Sequence, residues 1–172
     1  LMNKKTPEVE FVNHACFLLE YAEVTLIVDP WLTGNAFNNG WDLLIPTPEK
    51  YLSFDNVTHI WFSHEHPDHF SPSDLKRIPA TQRSQITVLF QETMDRKVVD
   101  FCKKLGFIVE ELPPNIPFEL CSDFSITCAP FTEGDSWCYI QAGGLSVLNV
   151  NDCILKNIED CEPIKRHVGE VD

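Results

Sequence analysis

Residues His64-Glu65-His66-Pro67-Asp68-His69 place four potential metal ligands, His64, His66, Asp68 and His69, within six positions of a 172-residue chain that has only six histidines. They follow the apolar stretch 57–63, an order that describes a buried strand running into a loop. Alternate side chains of a strand share a face, so His64 and His66 can address one ion. Asp68 and His69 lie beyond Pro67, where the chain must turn, and can face a second ion a few ångströms away. Imidazole and carboxylate donors suit zinc, iron and manganese.

Composition narrows what such a centre would act on. Thirteen Lys and Arg against 26 Asp and Glu give a net charge of −13. Nucleic-acid binding is driven by basic groups that neutralise phosphates, so the expectation is a small-molecule substrate and no nucleic acid. With 44% hydrophobic and 11% aromatic residues the chain is globular, and its length suits a single domain over 1–172. No apolar run approaches the ~20 residues of a membrane helix, and no apolar signal segment follows Lys4-Lys5. Seven cysteines without a CxxC pair fit reduced thiols and a cytoplasmic setting. Cys16, Cys128 and Cys138 sit in apolar stretches, as core residues do.

The elements that must carry the loop follow from periodicity. Residues 8–13, 16–21 and 24–29 have the pattern of a strand meander. The stretch 35–56, rich in Asn, Pro and aromatics, is expected to be a long loop with one helical turn that forms a wall of the site. Ser71-Pro72 starts a short helix that stops before Pro79. Residues 86–90 and 107–112 are expected strands, joined by a helix over 93–105 with apolar positions at 94, 98, 101 and 105 and a stop at Gly106. Three more strands are expected at 124–129, 137–142 and 145–150, the last two joined in a hairpin at Gly143-Gly144. The final residues, 168–172, have the pattern of the beginning of a strand.

The HxHxDH run is the signature of the metallo-β-lactamase superfamily, which the chain resembles. Residues 24–34, with Asp29-Pro30-Trp31, resemble the strand and turn that precede the metal loop in that superfamily. Ala36-Phe37, Gly40-Trp41, Leu43-Leu44 and the segment from Leu148 to Cys153 resemble the corresponding domain of the CMP-N-acetylneuraminate hydroxylase branch and related diiron oxygenases. The likeness runs from about 24 to 153. It implies an α/β fold, an αββα sandwich with the metal site at one sheet edge, and a further C-terminal portion with a final histidine beyond what this sequence contains.

The resemblance also implies a ligand set and two metal ions. His64 and His66 belong to one ion, Asp68 and His69 to the second, and Asp152 bridges them; Asp68 is assigned the catalytic role as well. The first ion normally takes a third histidine, yet no histidine lies between 70 and 166. Glu133 is expected in its place, with an ordinary exposed loop acid as the other reading of that residue. Asp135 is expected to orient or cap. A carboxylate there would favour iron or manganese over zinc. His14, between two strands, is as much a structural residue as one holding a ligand or substrate. His59 is expected to be a satisfied sheet histidine, and His167 is not assigned.

Three functions fit. A hydrolase acting on a small molecule through water activated between two ions stands first, on the superfamily's habit. An O2-dependent diiron hydroxylase is nearly level, on the Glu133 exchange. A non-catalytic metal-binding domain is third. The CxH and CxxH pairs of a Rieske cluster do not occur in the sequence, so a hydroxylase would need electrons from another protein or domain.

Overall fold

Strict alternation along the strands dictates the layering seen in the computed structural model, which describes residues 6–172. Strands β1 (Glu8–Asn13), β2 (Cys16–Tyr21) and β3 (Val24–Val28) form an antiparallel meander. In β2, Cys16 and Leu18 point into one core cluster while Leu19 and Tyr21 point into another. That period of two makes β2 the middle layer of a sandwich, buried on both faces.

After β3 come one short strand pair and a turn of helix: β4 (Asn35–Ala36) with β5 (Trp41–Asp42), then α1 (Glu49–Leu52). The stretch 35–56 is thus less irregular than its composition suggests. β6 (His59–Trp61) pairs parallel to β3 and leads into the histidine loop. Then α2 (Pro72–Arg77) begins as expected: the Ser71 hydroxyl accepts from the Asp74 amide, Pro72 stands in the first turn, and the helix ends before Pro79. A further turn, α3 (Ala80–Arg83), precedes β7 (Thr87–Gln91).

The following helix, α4 (Lys97–Leu105), starts four residues later than the apolar spacing suggests. Local side chains capture the backbone first: the Asp95 carboxylate accepts from the Lys97 amide at 2.9 Å, and the Thr93 hydroxyl accepts from the Asp95 amide at 3.4 Å. Met94, counted as a helix-face position, is left fully exposed. Gly106 closes α4 in the left-handed conformation, φ 91°. β8 (Ile108–Leu112) completes a six-stranded sheet in the order β1-β2-β3-β6-β7-β8, parallel from β3 onward.

A second, antiparallel sheet holds β9 (Phe118–Cys121), β10 (Phe124–Pro130), β11 (Ser136–Ala142) and β12 (Leu145–Asn149), in the order β12-β11-β10-β9. Strand β9 was not foreseen. The β11–β12 hairpin turns on Gly143 and Gly144, both at positive φ, and a Cβ at Gly143 would lie 2.3 Å from the Tyr21 ring. A last helix, α5 (Ile158–Lys165), was hidden by its internal Pro163; the reciprocal Asn157–Asp160 capping box starts it. Residues 168–172 form no regular strand, yet the Asp172 amide donates to the Ser146 carbonyl at 3.0 Å along the β12 edge.

Three apolar clusters fill the three seams between four layers. The first packs α1, α2 and α4 on the outer face of the large sheet, with Tyr51, Leu75, Val98, Val99 and Cys102 against Ile60, Phe62 and Val88. The second lies between the sheets, with Leu26, Trp61 and Leu89 against Phe124, Ile126 and Ile140. The third seats Ile164 of α5 against Trp137 and Tyr139. This is an αββα sandwich. All seven cysteines are unpaired, with Cys16, Cys128 and Cys138 buried. No helix among the described residues is long and apolar enough to cross a membrane.

A carboxylate pins α2 to the turn after β3. Asp74, wholly buried, accepts from the Leu32 amide at 2.8 Å, the Thr33 amide at 3.2 Å and the Thr33 hydroxyl at 2.6 Å, and pairs with Arg77 at 3.0 Å. Asp74→Ala leaves buried amides without acceptors and should cost about 3 kcal/mol in urea unfolding. Arg77→Ala, at a half-exposed partner, should cost less than about 1 kcal/mol. Equal losses from the two variants would show that the ion pair, not the amide cap, holds α2 in place.

Candidate metal centre

The histidine loop emerges at the C-terminal end of the parallel strands, where crevices form in open α/β sheets. The other elements bring their polar residues to that same edge: His14 from the β1–β2 turn, Asp29 after β3, Gln91 at the end of β7, Asp135 between β10 and β11, and Asp152 after β12.

His64 and His69 are buried and His66 is exposed. His64 Nε2 lies 2.8 Å from His66 Nδ1, 3.6 Å from Asp135 Oδ1 and 3.7 Å from Asp152 Oδ2. His69 Nε2 lies 3.4 Å from that same Asp152 oxygen and 3.5 Å from Asp68 Oδ2. One carboxylate oxygen of Asp152 therefore stands between two histidines. His14 also reaches the cluster, its Nε2 3.0 Å from Asp68 Oδ2. Two sets of donor atoms result, each within 4.8 Å: His64, His66 and Asp152, and His14, Asp68 and His69. Asp135 approaches the first set. Glu133 belongs to a 3-10 turn, Thr132–Gly134, and its side chain lies outside the described residues.

These donors fit a cation. Asp68 Oδ1 and Asp135 Oδ1 are both buried with no protein hydrogen-bond partner. A buried carboxylate oxygen left unsatisfied is costly, and a metal ion is a partner that would remove the cost. A tetrahedral zinc would need the two imidazole nitrogens about 3.3 Å apart, a small opening of the His64–His66 pair.

The residues that orient the histidines include several that the sequence did not single out. Asp29 is 1% exposed at φ 44°, and its carboxylate accepts from the Ser63 amide at 2.8 Å, the Ser63 hydroxyl at 2.7 Å and His69 Nδ1 at 2.9 Å. Ser63 Oγ is also 2.8 Å from His64 Nδ1. Both buried rings thus have their Nδ1 occupied, which directs Nε2 toward the centre. A charged residue closing a fully buried, mostly apolar strand was the available signal for this role of Asp29. Gln91 gave no such signal. Its amide donates to the Gly134 carbonyl at 2.8 Å and the Ser63 carbonyl at 3.3 Å, and Ser136 Oγ donates to the same Ser63 carbonyl at 2.6 Å, clamping the 132–136 loop to the histidine loop.

Electrostatics follow the burial. Desolvation works against charged His69, but the Asp29 hydrogen bond and the charges of Asp29, Asp68 and Asp152 outweigh it and hold its pKa above the ordinary value. Burial, helped by the His69 charge, lowers His64. Burial raises Asp135, with the Asp152 charge acting the same way against the pull of His64. His59 lies apart, its Nδ1 2.8 Å from the Thr58 hydroxyl, and His167 is exposed near the chain end.

Comparison with known proteins supplies the family. The model of the β-lactamase superfamily domain matches residues 8–153. The cytidine monophosphate-N-acetylneuraminic acid hydroxylase of Xenopus laevis is 29% identical, covering 87% of this chain and 26% of that protein. The human counterpart, described as inactive, is 28% identical over the same share of this chain and 31% of its own. The chain thus spans about a quarter to a third of the curated relatives it matches. Among solved structures, a diiron β-hydroxylase of Streptomyces venezuelae superposes with a TM-score of 0.73 at 21% identity, covering 98% of this chain and 34% of the other. A possible metal-dependent hydrolase of Veillonella parvula gives a TM-score of 0.68 at 17% identity, with 92% and 66% covered.

The orphaned carboxylate oxygens generate a prediction. Zinc, iron(II) or manganese(II) at 100 times its dissociation constant should stabilise the chelator-treated protein by about 2.7 kcal/mol per ion, raising the melting temperature by roughly 5–10 °C. Identical melting curves with and without metal would show that Asp68, Asp135 and Asp152 do not converge on a cation.

Proposed function

The chain belongs to the β-lactamase superfamily, and on that footing we propose that this domain holds a dinuclear metal centre for O2-dependent hydroxylation of a small molecule. The first ion takes His64, His66 and a carboxylate from the 133–135 loop, with Glu133 the principal donor and Asp135 beside it. The second takes Asp68 and His69, and Asp152 bridges. His14 holds Asp68 in place through its 3.0 Å contact.

One observation carries this reading: a buried carboxylate, not an imidazole, faces His64 from the loop after β10. Asp135 is 6% exposed, its Oδ1 has no hydrogen-bond partner, and no histidine lies between 70 and 166. Counting Glu133, three histidines meet four carboxylates. Such a hard, anionic donor set favours iron or manganese over zinc, and a pair of iron ions would supply O2 activation. The likeness to sialic-acid hydroxylases and to a diiron β-hydroxylase supports the same choice. Within the chain, Asp29 and Ser63 fix the two buried histidines, and Gln91 and Ser136 hold the carboxylate loop at its distance. The electrons that O2 reduction requires come from another protein or domain.

Hydrolysis, first on superfamily habit alone, becomes the second reading. What favours it is the openness of the centre: His66 and Asp152 are exposed, so bulk water reaches the bridging position. Asp68 would then be the base that accepts the proton of the attacking water. The likeness to a possible metal-dependent hydrolase supports this reading at the level of fold.

Metal content separates the two. Protein made in iron-replete medium should carry about two irons per chain, with an absorption band in the near-ultraviolet or visible; two zinc ions and no iron would overturn hydroxylation. His64→Ala should lose the first ion altogether. Glu133→His should keep two metals but shift the zinc-to-iron ratio upward, since imidazole is the softer donor. Unchanged metal content and ratio in Glu133→His would pass the donor role to Asp135.

A further inference from the structure

The stretch that follows the Asp29 turn leaves an unusual amount of apolar surface in water, and it does so beside the metal centre. Trp41 is 52% exposed and Phe37 is 42% exposed. The two rings pack edge to face, 5.0 Å between centroids, and each touches the cluster: Phe37 meets His66 and Trp41 meets His14, both at 6.2 Å. From His14 a groove of about 450 Å³ runs away from the centre between the end of β1 and residues 42–48. Its walls include Phe11, 70% exposed, Leu44, fully exposed, Ile45, 72% exposed, and Pro46 and Pro48. Isolated exposed apolar residues need no explanation, but a contiguous set bordering a polar centre does.

One wall of the groove is anchored by part-buried bonds from Thr47. The Thr47 hydroxyl donates to the Leu32 carbonyl at 2.6 Å and accepts from the Asn13 amide, so the 42–48 wall is tied to the Asp29 turn and to β1 at once. Its volume lies within the ~300–1,000 Å³ typical of small-molecule pockets. Its chemistry is selective: the one fully charged side chain in the lining is Asp42, and no lysine or arginine is there to meet a phosphate. His14 belongs to both places, lining the groove and bonding Asp68.

We propose that this groove takes an uncharged aliphatic or aryl arm of the substrate whose reacting head sits at the His64–Asp68–Asp152 cluster. The inference rests on the metal-centre reading and adds the substrate class: a polar, metal-binding head carrying an apolar arm, with Phe37 and Trp41 flanking the passage between the two. Contact with apolar walls accounts for both the exposure of Leu44 and Ile45 and the fixed geometry beneath them. A phosphate-bearing group would find repulsion from Asp42 and no counter-charge.

Three probes test the parts separately. Acetohydroxamate presents a metal-binding head alone, 1-octanol an arm alone, and octanohydroxamate both. With metal-loaded protein, octanohydroxamate should bind at least a hundredfold more tightly than acetohydroxamate, since each methylene buried contributes up to about fourfold. 1-Octanol should shift the methyl NMR signals of Val12, Leu44 and Ile45, with or without metal. Leu44→Asp and Ile45→Asp, at side chains that stand largely in water, should remove more than tenfold of the octanohydroxamate gain. Acetohydroxamate, too short to reach the groove, should bind wild type and variants alike. Equal affinity for the two hydroxamates, or octanol shifts that miss these methyls, overturns the groove. Failure of acetohydroxamate to bind metal-loaded protein overturns the metal-centre reading instead, and the octanol measurement still decides the groove.

Discussion

At the end of β3 the Asp29 carboxylate accepts from the Ser63 amide, the Ser63 hydroxyl and His69 Nδ1, and through Ser63 it also sets the tautomer of His64. Nearly everything at the site depends on this arrangement. The left-handed backbone at Asp29, φ 44°, turns the chain out of the sheet and leaves the carboxylate aimed back across the ends of β3 and β6. An L-residue in that region carries strain, and the three hydrogen bonds offset it. Because β3 and β6 are parallel neighbours in fixed register, the carboxylate cannot shift without carrying the histidine loop with it.

The same edge of the sandwich collects negative charge. Asp29, Asp68, Asp135 and Asp152 converge there from four separate connections, and burial of the first three leaves them little water for screening. The carboxylates around His69, Asp29 first, hold its pKa up against desolvation, the one response to this charge that the protein's own groups make there. It does not satisfy the free oxygens of Asp68 and Asp135. An arrangement this unfavourable persists because the surrounding layers over-determine it: Gln91 and Ser136 fix the 132–136 loop, and Asp74 fixes the turn beyond Asp29.

What the sequence made legible was whatever is local. The histidine loop is six consecutive residues, the strands announce themselves by alternation, and the Gly143-Gly144 hairpin depends only on backbone freedom at two positions. Layering followed, since β2 and β3 are apolar on both faces. Features set by through-space contacts were not legible. Gln91 is an unremarkable strand-end residue until the fold places it beside Gly134, 43 positions away. Helix α4 starts late because Asp95 and Thr93 compete for amides that an apolar count ignores. Helix α5 was masked by Pro163, whose cost is borne by the capping box and by Ile164 in the third cluster. The convergence of His14 on Asp68 spans 54 positions, and spacing alone left its role even between structure and function.

The two sheets contribute different chemistry to the centre. The six-stranded sheet supplies the imidazoles, Asp29 and Asp68, with the two buried rings, His64 and His69, held by the bonds around Asp29 and Ser63. The four-stranded sheet supplies carboxylates, Asp135 from the β10–β11 connection and Asp152 after β12. Those donors are tied to the histidine loop by a few contacts, mainly through Gln91 and Ser136. An exchange of donor type on the second sheet therefore leaves the histidine geometry intact while changing the hardness of the site. That separation gives one αββα scaffold a physical route to both hydrolytic and oxidative chemistry. In the proposed assignment, metal preference belongs to a loop of a few residues, 133–135, and the arm of the substrate to a different segment, 37–48, beside His14.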